Sequence, residues 1–134
     1  MSLFSLFKYK AFLIKPNNHE LGEMFGVTLN SDREIETYAR KLQKMGAVNV
    51  LISMAGDGAM LIDEYGNMHR CGVCKGVVKN SVGAGDSMVA GFIAGVINGD
   101  YEYALKLGTA AGGATAFSDG LASKEKITEL VKTL

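Results

Sequence analysis

Residues 80–92 read Asn80-Ser-Val-Gly-Ala-Gly-Asp-Ser-Met-Val-Ala-Gly-Phe92, a glycine-rich turn followed by an apolar run at helical spacing. This pattern predicts a helix over residues 86–98 with the glycines at its N-terminus. Glycines let the backbone approach a ligand closely, and the unpaired N–H groups of a first helical turn favour an anion such as a phosphoryl group. Asp86 would then stand beside the bound anion.

Two interpretations of Asp86 follow from the residues alone. A carboxylate at a helix N-terminus is stabilised in its ionised form, so it can accept a proton from a substrate hydroxyl as that oxygen attacks phosphorus. Alternatively, Asp86 only caps the helix and the glycines only make the turn, which is the more frequent use of such residues. The common phosphate-binding patterns do not decide between them, because no Lys-Ser or Lys-Thr follows the glycines and no Gly-x-Gly-x-x-Gly is present.

The rest of the chain alternates between apolar strands and helical patterns. Ala11-Phe-Leu-Ile-Lys15 stops at Pro16 and predicts a buried strand. Further strands are predicted over residues 48–54, 59–63 and 68–71, with an extended stretch at 76–79. Further helices are predicted from a cap at Asn17 or Asn18 to Phe25, from a cap at Ser31 or Asp32 to Gly46, and over residues 102–117 and 124–133. This order predicts a layered α/β domain whose sheet is largely parallel with an antiparallel edge.

The composition excludes several classes of function. The 14 basic and 14 acidic residues balance and no run of five like charges occurs, so no nucleic-acid partner is predicted. The longest nearly uninterrupted apolar stretch, residues 88–97, covers about half of the roughly 20 residues that a membrane-spanning helix needs. The N-terminus has neither a basic region ahead of its apolar residues nor a small-residue cleavage site. We therefore predict a soluble, cytoplasmic protein without a membrane partner.

Cys71 and Cys74 form a Cys-Gly-Val-Cys spacing that is open to three interpretations. A zinc site would need further ligands, but there is no second cysteine pair and the only histidines are His19 and His69. A redox pair would open a helix, whereas a β-branched stretch follows Cys74. We expect structural cysteines, because free cysteine commonly packs as a small hydrophobe.

Residues 80–92 resemble the C-terminal signature of the PfkB carbohydrate kinases, and the resemblance extends from about Lys10 to the end of the chain. It is strongest to the branch that contains 1-phosphofructokinase and tagatose-6-phosphate kinase. The resemblance implies the C-terminal part of a ribokinase-like three-layer αβα fold, with residues 10–134 as its nucleotide-binding half. Residues 1–9 fit the family poorly, as expected for a cloning remnant or a truncated start.

The same resemblance implies roles for the two helix N-termini. Asp86 would be the catalytic base, with the backbone of Gly83, Ala84 and Gly85 as the anion hole. Asn17-Asn-His-Glu20 is similar to the family's Asn-x-x-Glu motif, in which Asn17 and Glu20 would help order Mg²⁺ and its waters near the phosphates. From the residues alone, the more ordinary interpretation makes Asn17 a helix cap and Glu20 a surface residue.

A further segment, Ser53-Met-Ala-Gly-Asp-Gly58, is similar to the part of these kinases that contacts nucleotide phosphates and ribose. The resemblance implies such contacts for Ser53, Gly56, Asp57 and Gly58. Asp-Gly between two apolar runs is equally a strong hairpin-turn pattern, so the residues alone leave both interpretations open.

The glycines within the predicted helix 102–117 need an explanation, because each costs about 1 kcal/mol relative to alanine. Close packing against Gly91 and Gly95 of the preceding helix is one reason. The resemblance implies a second, in which Gly112 and Ser118 line the pocket for adenine. Both reasons can hold together.

From these features we expect an ATP-dependent kinase that phosphorylates a hydroxyl of a sugar phosphate, with ATP and Mg²⁺ as its cofactors. The alternative is a non-catalytic module that binds an adenine nucleotide for regulation. Members of the family are longer, and their N-terminal half supplies the sugar-binding residues. We expect this chain to be inactive alone, and to pair with the missing half or to form a homo-oligomer, because an apolar sheet edge near Phe12 would be exposed.

Overall fold

The computed structural model describes residues 11–74, 76, 79, 83–117 and 123–134. Its strands are β1 (Leu13–Ile14), β2 (Asn49–Ser53), β3 (Ala59–Ile62) and β4 (Met68–Cys71). Its helices are α1 (Asn18–Phe25), α2 (Asp32–Lys44), α3 (Ala84–Asn98), α4 (Tyr101–Ala116) and α5 (Lys124–Val131), with a short 3₁₀ helix at Ala55–Asp57. These elements lie close to the predicted ones, except that residues 77 and 78 of the extended stretch predicted over 76–79 lie outside the described residues. No helix in the described ranges has the length and apolar character to span a lipid bilayer.

The strands form one sheet in the order β1-β2-β3-β4. β1 pairs parallel with β2, with Leu13 opposite Asn49 and Ile14 opposite Val50. Short turns join β2 to β3 and β3 to β4, and strands joined by such turns run antiparallel. The described sheet is therefore mostly antiparallel, and the parallel pairing that we predicted for most of it holds for β1 and β2.

The described residues divide into two compact units. The first comprises residues 11–55 and 60–69, and the second comprises residues 56–59 and the described part of 70–134. The first unit therefore contains α1, α2 and most of the sheet, and the second contains α3, α4 and α5. Among the predicted site residues, Asn17, Glu20 and Ser53 belong to the first unit.

An apolar core holds the first unit together. The helical spacing of Ile35 and Leu42 on α2 places both on one face, where they are buried with Leu21 of α1. Val50 and Ile52 of β2 alternate along the strand and belong to the same core. Burial stabilises side chains of this size by roughly 1.5–3 kcal/mol each. The apolar residues of both helices therefore lie on the side that packs against this core.

A buried aspartate holds the turn between β3 and β4. Asp63 is 2% exposed, and its Oδ1 accepts the N–H groups of Tyr65 and Asn67 at 2.9 and 3.0 Å. Its Oδ2 lies 2.7 Å from His69 Nε2. Burial by itself would raise the pKa of Asp63, but these hydrogen bonds outweigh burial and lower the pKa below its usual value. The turn is also bound to α2, because Gln43 Nε2 donates to the Asp63 carbonyl at 2.6 Å.

In the second unit, glycines bring α3 and α4 into backbone contact. A Cβ built at Gly91 would lie 2.9 Å from the Leu107 carbonyl oxygen, and one at Gly95 would lie 2.5 Å from Ala104 Cα. A Cβ at Gly108 would lie 2.8 Å from the Met88 carbonyl oxygen. Distances this short exclude any side chain unless the helices separate. The packing explanation for these glycines is therefore confirmed.

Both cysteines are free and buried. Cys71 Sγ lies 3.2 Å from Thr109 Oγ1. Burial raises the pKa of both thiols, which keeps them neutral and unreactive at neutral pH. Within the described ranges, no group of three or more His, Cys, Asp or Glu side chains is arranged to hold a metal ion. These observations favour the structural interpretation of the Cys-Gly-Val-Cys spacing.

Candidate active site

The N-terminus of α3 is formed by the glycine turn. Gly83 is the N-cap residue, with φ of 84° in the left-handed region, and it supplies no side-chain hydrogen bond to the helix. By contrast, the N-cap side chains of the other described α-helices each accept a backbone N–H: Asn17, Ser31, Asp100 and Ser123. Within the described residues, the first turn of α3 therefore has no N-cap side chain bonded to its N–H groups, an arrangement that suits an anion hole.

Asp86 lies in the first turn of α3 and is exposed. The cap position belongs to Gly83, three residues earlier, so Asp86 is not the N-cap of this helix. This placement removes the simple capping explanation for Asp86. An exposed carboxylate beside the uncapped turn can accept a proton from a hydroxyl that approaches an anion bound there.

The turn is supported from α4. A Cβ built at Gly112 would lie 3.1 Å from the Ala84 carbonyl oxygen, so α4 packs directly on the first residue of α3. Ser87 N–H donates to the Gly83 carbonyl at 2.9 Å and closes the turn. Thr115 Oγ1, on α4, donates to Ser87 Oγ at 2.8 Å. Gly112 therefore contacts the predicted anion hole, and its predicted neighbour in the adenine pocket, Ser118, lies outside the described residues.

In the first unit, Asn17 and Glu20 form a capping box at the start of α1. Asn17 Oδ1 accepts Glu20 N–H at 2.8 Å, and Glu20 Oε1 accepts Asn17 N–H at 2.9 Å. The structural interpretation of both residues is therefore confirmed. Glu20 is nevertheless exposed, and the capping bond uses one of its two carboxylate oxygens. The donor set fits a hydrated Mg²⁺, which keeps several waters and commonly takes only one or two protein carboxylates.

Ser53 joins this group at the ends of β1 and β2. Ser53 N–H donates to the Pro16 carbonyl at 3.2 Å, and Asn17 and Ser53 form a parallel bridge. The two strands are parallel, so their carboxyl ends meet at one edge of the sheet, which is where α/β folds bind ligands. The Asn-x-x-Glu motif and the first residue of the predicted nucleotide segment are thus brought together.

The remainder of that segment forms a tight turn. Ala55–Asp57 is a 3₁₀ helix, and Gly56 and Asp57 are exposed. Gly58 has φ of 94°, and a Cβ at this position would lie 2.2 Å from the Cys71 carbonyl oxygen. Only glycine fits there, so Gly58 has a structural role whether or not it contacts a ligand. The turn interpretation is confirmed, and nucleotide contacts of this segment stay a prediction.

Thr115 is a residue that sequence reasoning missed. It is 4% exposed, yet it belongs to an Ala- and Gly-rich helix in which no motif distinguishes it. Ser87 and Thr115 line a groove of about 620 Å³ on the second unit, with mostly apolar walls from α3, α4 and α5. Only the packing of α4 against α3 reveals that the two hydroxyls meet.

A sequence model described as pfkB family carbohydrate kinase matches residues 3–127. The 1-phosphofructokinase of Bacillus subtilis (strain 168) is 49% identical over 123 residues, which cover 91% of this chain and 40% of the relative. The D-tagatose-1-phosphate kinase of Bacillus licheniformis is 36% identical over 129 residues, which cover 95% of this chain and 42% of the relative. The chain thus spans about 40% of the length of these curated relatives.

Among solved structures, the chain is similar to a Staphylococcus aureus protein provisionally described as a phosphofructokinase. The two share 40% identity and superpose with a TM-score of 0.92, over 96% of this chain and 42% of that one. This similarity confirms the predicted fold class.

Proposed function

Because this chain belongs to the pfkB family of carbohydrate kinases, we propose that it is the nucleotide-binding part of an ATP-dependent kinase for a sugar phosphate. In this proposal residues 10–134 form the C-terminal half of the kinase. The observation that carries it is the uncapped glycine turn at the N-terminus of α3 with Asp86 exposed beside it. The 49% identity to a 1-phosphofructokinase favours fructose 1-phosphate as the acceptor, ahead of a tagatose phosphate.

The proposed reaction is the transfer of the terminal phosphoryl group of ATP to a sugar hydroxyl. Asp86 accepts the hydroxyl proton as that oxygen attacks phosphorus, and the bond from phosphorus to the bridging oxygen of ATP breaks. The N–H groups of the turn formed by Gly83, Ala84 and Gly85 hold the phosphoryl oxygens as charge develops on them. Mg²⁺, when bound, neutralises phosphate charge, and Asn17 and Glu20 would hold it through its waters.

The nucleotide contacts are part of the same proposal. Ser53, Gly56, Asp57 and Gly58 would contact the phosphates and ribose, and residues near Gly112 and Ser118 would accept the adenine ring. A cytoplasmic location follows from the use of ATP as the donor. We also propose that the chain alone has little activity, because it spans about 40% of the length of its relatives, and the family resemblance implies that the sugar-binding residues lie in the remaining part.

A chimeric kinase tests this function with the chain's own residues. In it, the 134 residues replace the matching segment of the Bacillus subtilis relative, and turnover of fructose 1-phosphate with MgATP is measured. We expect activity in the chimera, and Asp86→Asn should lower kcat by about 10²–10⁴-fold because it removes the general base. The KM for MgATP should change little.

Asp57→Asn serves as the matched control, since it makes the same chemical change at another exposed aspartate. It should leave kcat near that of the parent chimera and act mainly on the KM for MgATP. A folded chimera without kinase activity, or Asp86→Asn with the parent's kcat, would contradict the proposal.

A further inference from the structure

We propose that Thr115 is a positioning residue for the glycine turn, acting through Ser87. The proposal rests on the proposed function of that turn. It adds a residue on α4 that lies outside the Gly-Ala-Gly-Asp motif. The structural basis is a chain of two hydrogen bonds that leads from Thr115, in the last turn of α4, to Gly83, at which the glycine turn begins.

The first bond links the two helices. Thr115 is 4% exposed, and its Oγ1 donates to Ser87 Oγ at 2.8 Å. The second bond closes the turn, because Ser87 N–H donates to the Gly83 carbonyl at 2.9 Å. Ser87 therefore links α4 by hydrogen bonds to the backbone of the turn, in addition to the direct contact between Gly112 and Ala84. A shift of the Ser87 side chain would be passed to the N–H groups of the turn.

Glycine packing alone leaves the position of this turn underdetermined. The contacts of Gly91, Gly95 and Gly108 are close van der Waals contacts without a conventional hydrogen bond, and such contacts have little directional preference. A hydrogen bond has a preferred distance and angle, so the Thr115–Ser87 bond fixes how far α3 is rotated and translated along α4. Because the contact between Gly112 and Ala84 is close, a small rotation of α3 would displace the turn itself.

The turn is sensitive to such a displacement because catalysis by an anion hole depends on donors that are already in place. A misplacement of about 1 Å can cost about 100-fold in rate. A purely stabilising bond would behave differently. Its loss would lower the melting temperature and leave kcat unchanged in the molecules that remain folded.

The variants Thr115→Val and Thr115→Ser separate these roles in the chimeric kinase. Valine keeps the branched shape and lacks the hydroxyl, so kcat should fall about tenfold or more while the KM for fructose 1-phosphate stays within about twofold. Serine restores the hydroxyl and should restore kcat. Thr109→Val is the control, because the Thr109 hydroxyl on the same helix donates to the Leu105 carbonyl. It should keep the parent's kcat.

Amide hydrogen exchange of the Ser87 N–H in the 134-residue chain gives a readout that does not need activity. We expect exchange several-fold faster in Thr115→Val than in the parent, and unchanged in Thr109→Val and Thr115→Ser. Equal exchange in Thr115→Val and the parent would overturn the proposal, as would an unchanged kcat. If exchange is faster in Thr115→Val but the parent chimera has no kinase activity, the positioning role is supported and the proposed function is contradicted. Failure of the positioning role and failure of the proposed function therefore give different results.

Discussion

The N-termini of α1 and α3 both carry motifs that resemble parts of a phosphoryl-transfer site, but their polar groups are used differently. At α1, Asn17 and Glu20 bind each other's backbone N–H groups in a complete capping box. At α3, the cap residue is Gly83, which has no side chain to offer, and Asp86 is exposed. The first N-terminus has a cap side chain that accepts a first-turn N–H group, whereas the second, within the described residues, has none.

This difference teaches which residues of a motif are available for chemistry. A capping side chain stabilises a helix by about 1 kcal/mol, so helix stability alone accounts for a capping residue and no ligand is needed to explain it. A glycine N-cap with no cap bond gives up only a few tenths of a kcal/mol of that stabilisation, and it leaves the space of a cap side chain empty. The turn at α3 is therefore the better candidate for ligand binding. Glu20 would have to bind a metal with its second carboxylate oxygen while the first accepts the Asn17 N–H.

The largest effect is expected from adding a negatively charged side chain at the N-cap position of α3. In Gly83→Asp, a carboxylate would occupy the region meant for the phosphoryl group, and two unit charges at about 4 Å repel by about 4 kcal/mol at an effective dielectric constant of 20. The kcat/KM for MgATP should therefore fall by about 10³-fold in the chimeric kinase. Steady-state kinetics with varied MgATP measures this change.

Gly83→Ala is the uncharged comparison variant, and its left-handed backbone strain is at least that of the aspartate variant. A Cβ at Gly83 meets no atom within 4 Å, so the cost is that of a left-handed alanine, about 1–2 kcal/mol of stability. If the alanine and aspartate variants lose activity equally, the turn is not an anion site and the contrast with α1 disappears.

A smaller effect should separate the two roles at α1. Asn17→Ala removes the cap and should lower the free energy of unfolding by about 1 kcal/mol, as measured by urea denaturation. Glu20→Gln keeps the capping box, which accepts glutamine at this position, and removes the charge. The glutamine variant should unfold like the parent, while the Mg²⁺ concentration for half-maximal activity of the chimera should rise several-fold. An unchanged Mg²⁺ requirement would leave Glu20 with the capping role alone.

The smallest effect concerns Asp63, a carboxylate whose bonds lie wholly within the fold. Its pKa in the folded state is lowered below the unfolded value of about 3.9, so it stabilises the fold at higher pH. That contribution is lost as the pH falls from the unfolded pKa through the folded one. Thermal melts between pH 7 and pH 2 should show a steeper acid decline for the parent than for Asp63→Asn. Parallel curves would mean that the hydrogen bonds to Asp63 do not favour its ionised form.

Local patterns made most of the elements predictable. Pro16 ends the first strand, and the helical spacing of Ile35 and Leu42 marks α2, because both effects depend on neighbours in sequence. The share of antiparallel pairing in the described sheet is larger than predicted, since a strand's partner depends on distant residues and on the short turns near Gly58 and Gly66. The Asp86 turn was predictable because its glycines and carboxylate are consecutive.

The sequence by itself determined the family, the position of the glycine turn and the identity of the carboxylate beside it, because these depend on residues that adjoin one another along the chain. Only the tertiary structure decided that Gly83 rather than Asp86 is the N-cap of α3. It alone also showed that a side chain at Gly58 would collide with the Cys71 carbonyl oxygen, and that Thr115 forms a hydrogen bond with Ser87. Each of these depends on backbone conformation or on a contact between residues far apart in sequence. A linear pattern does not encode such a contact in any single segment.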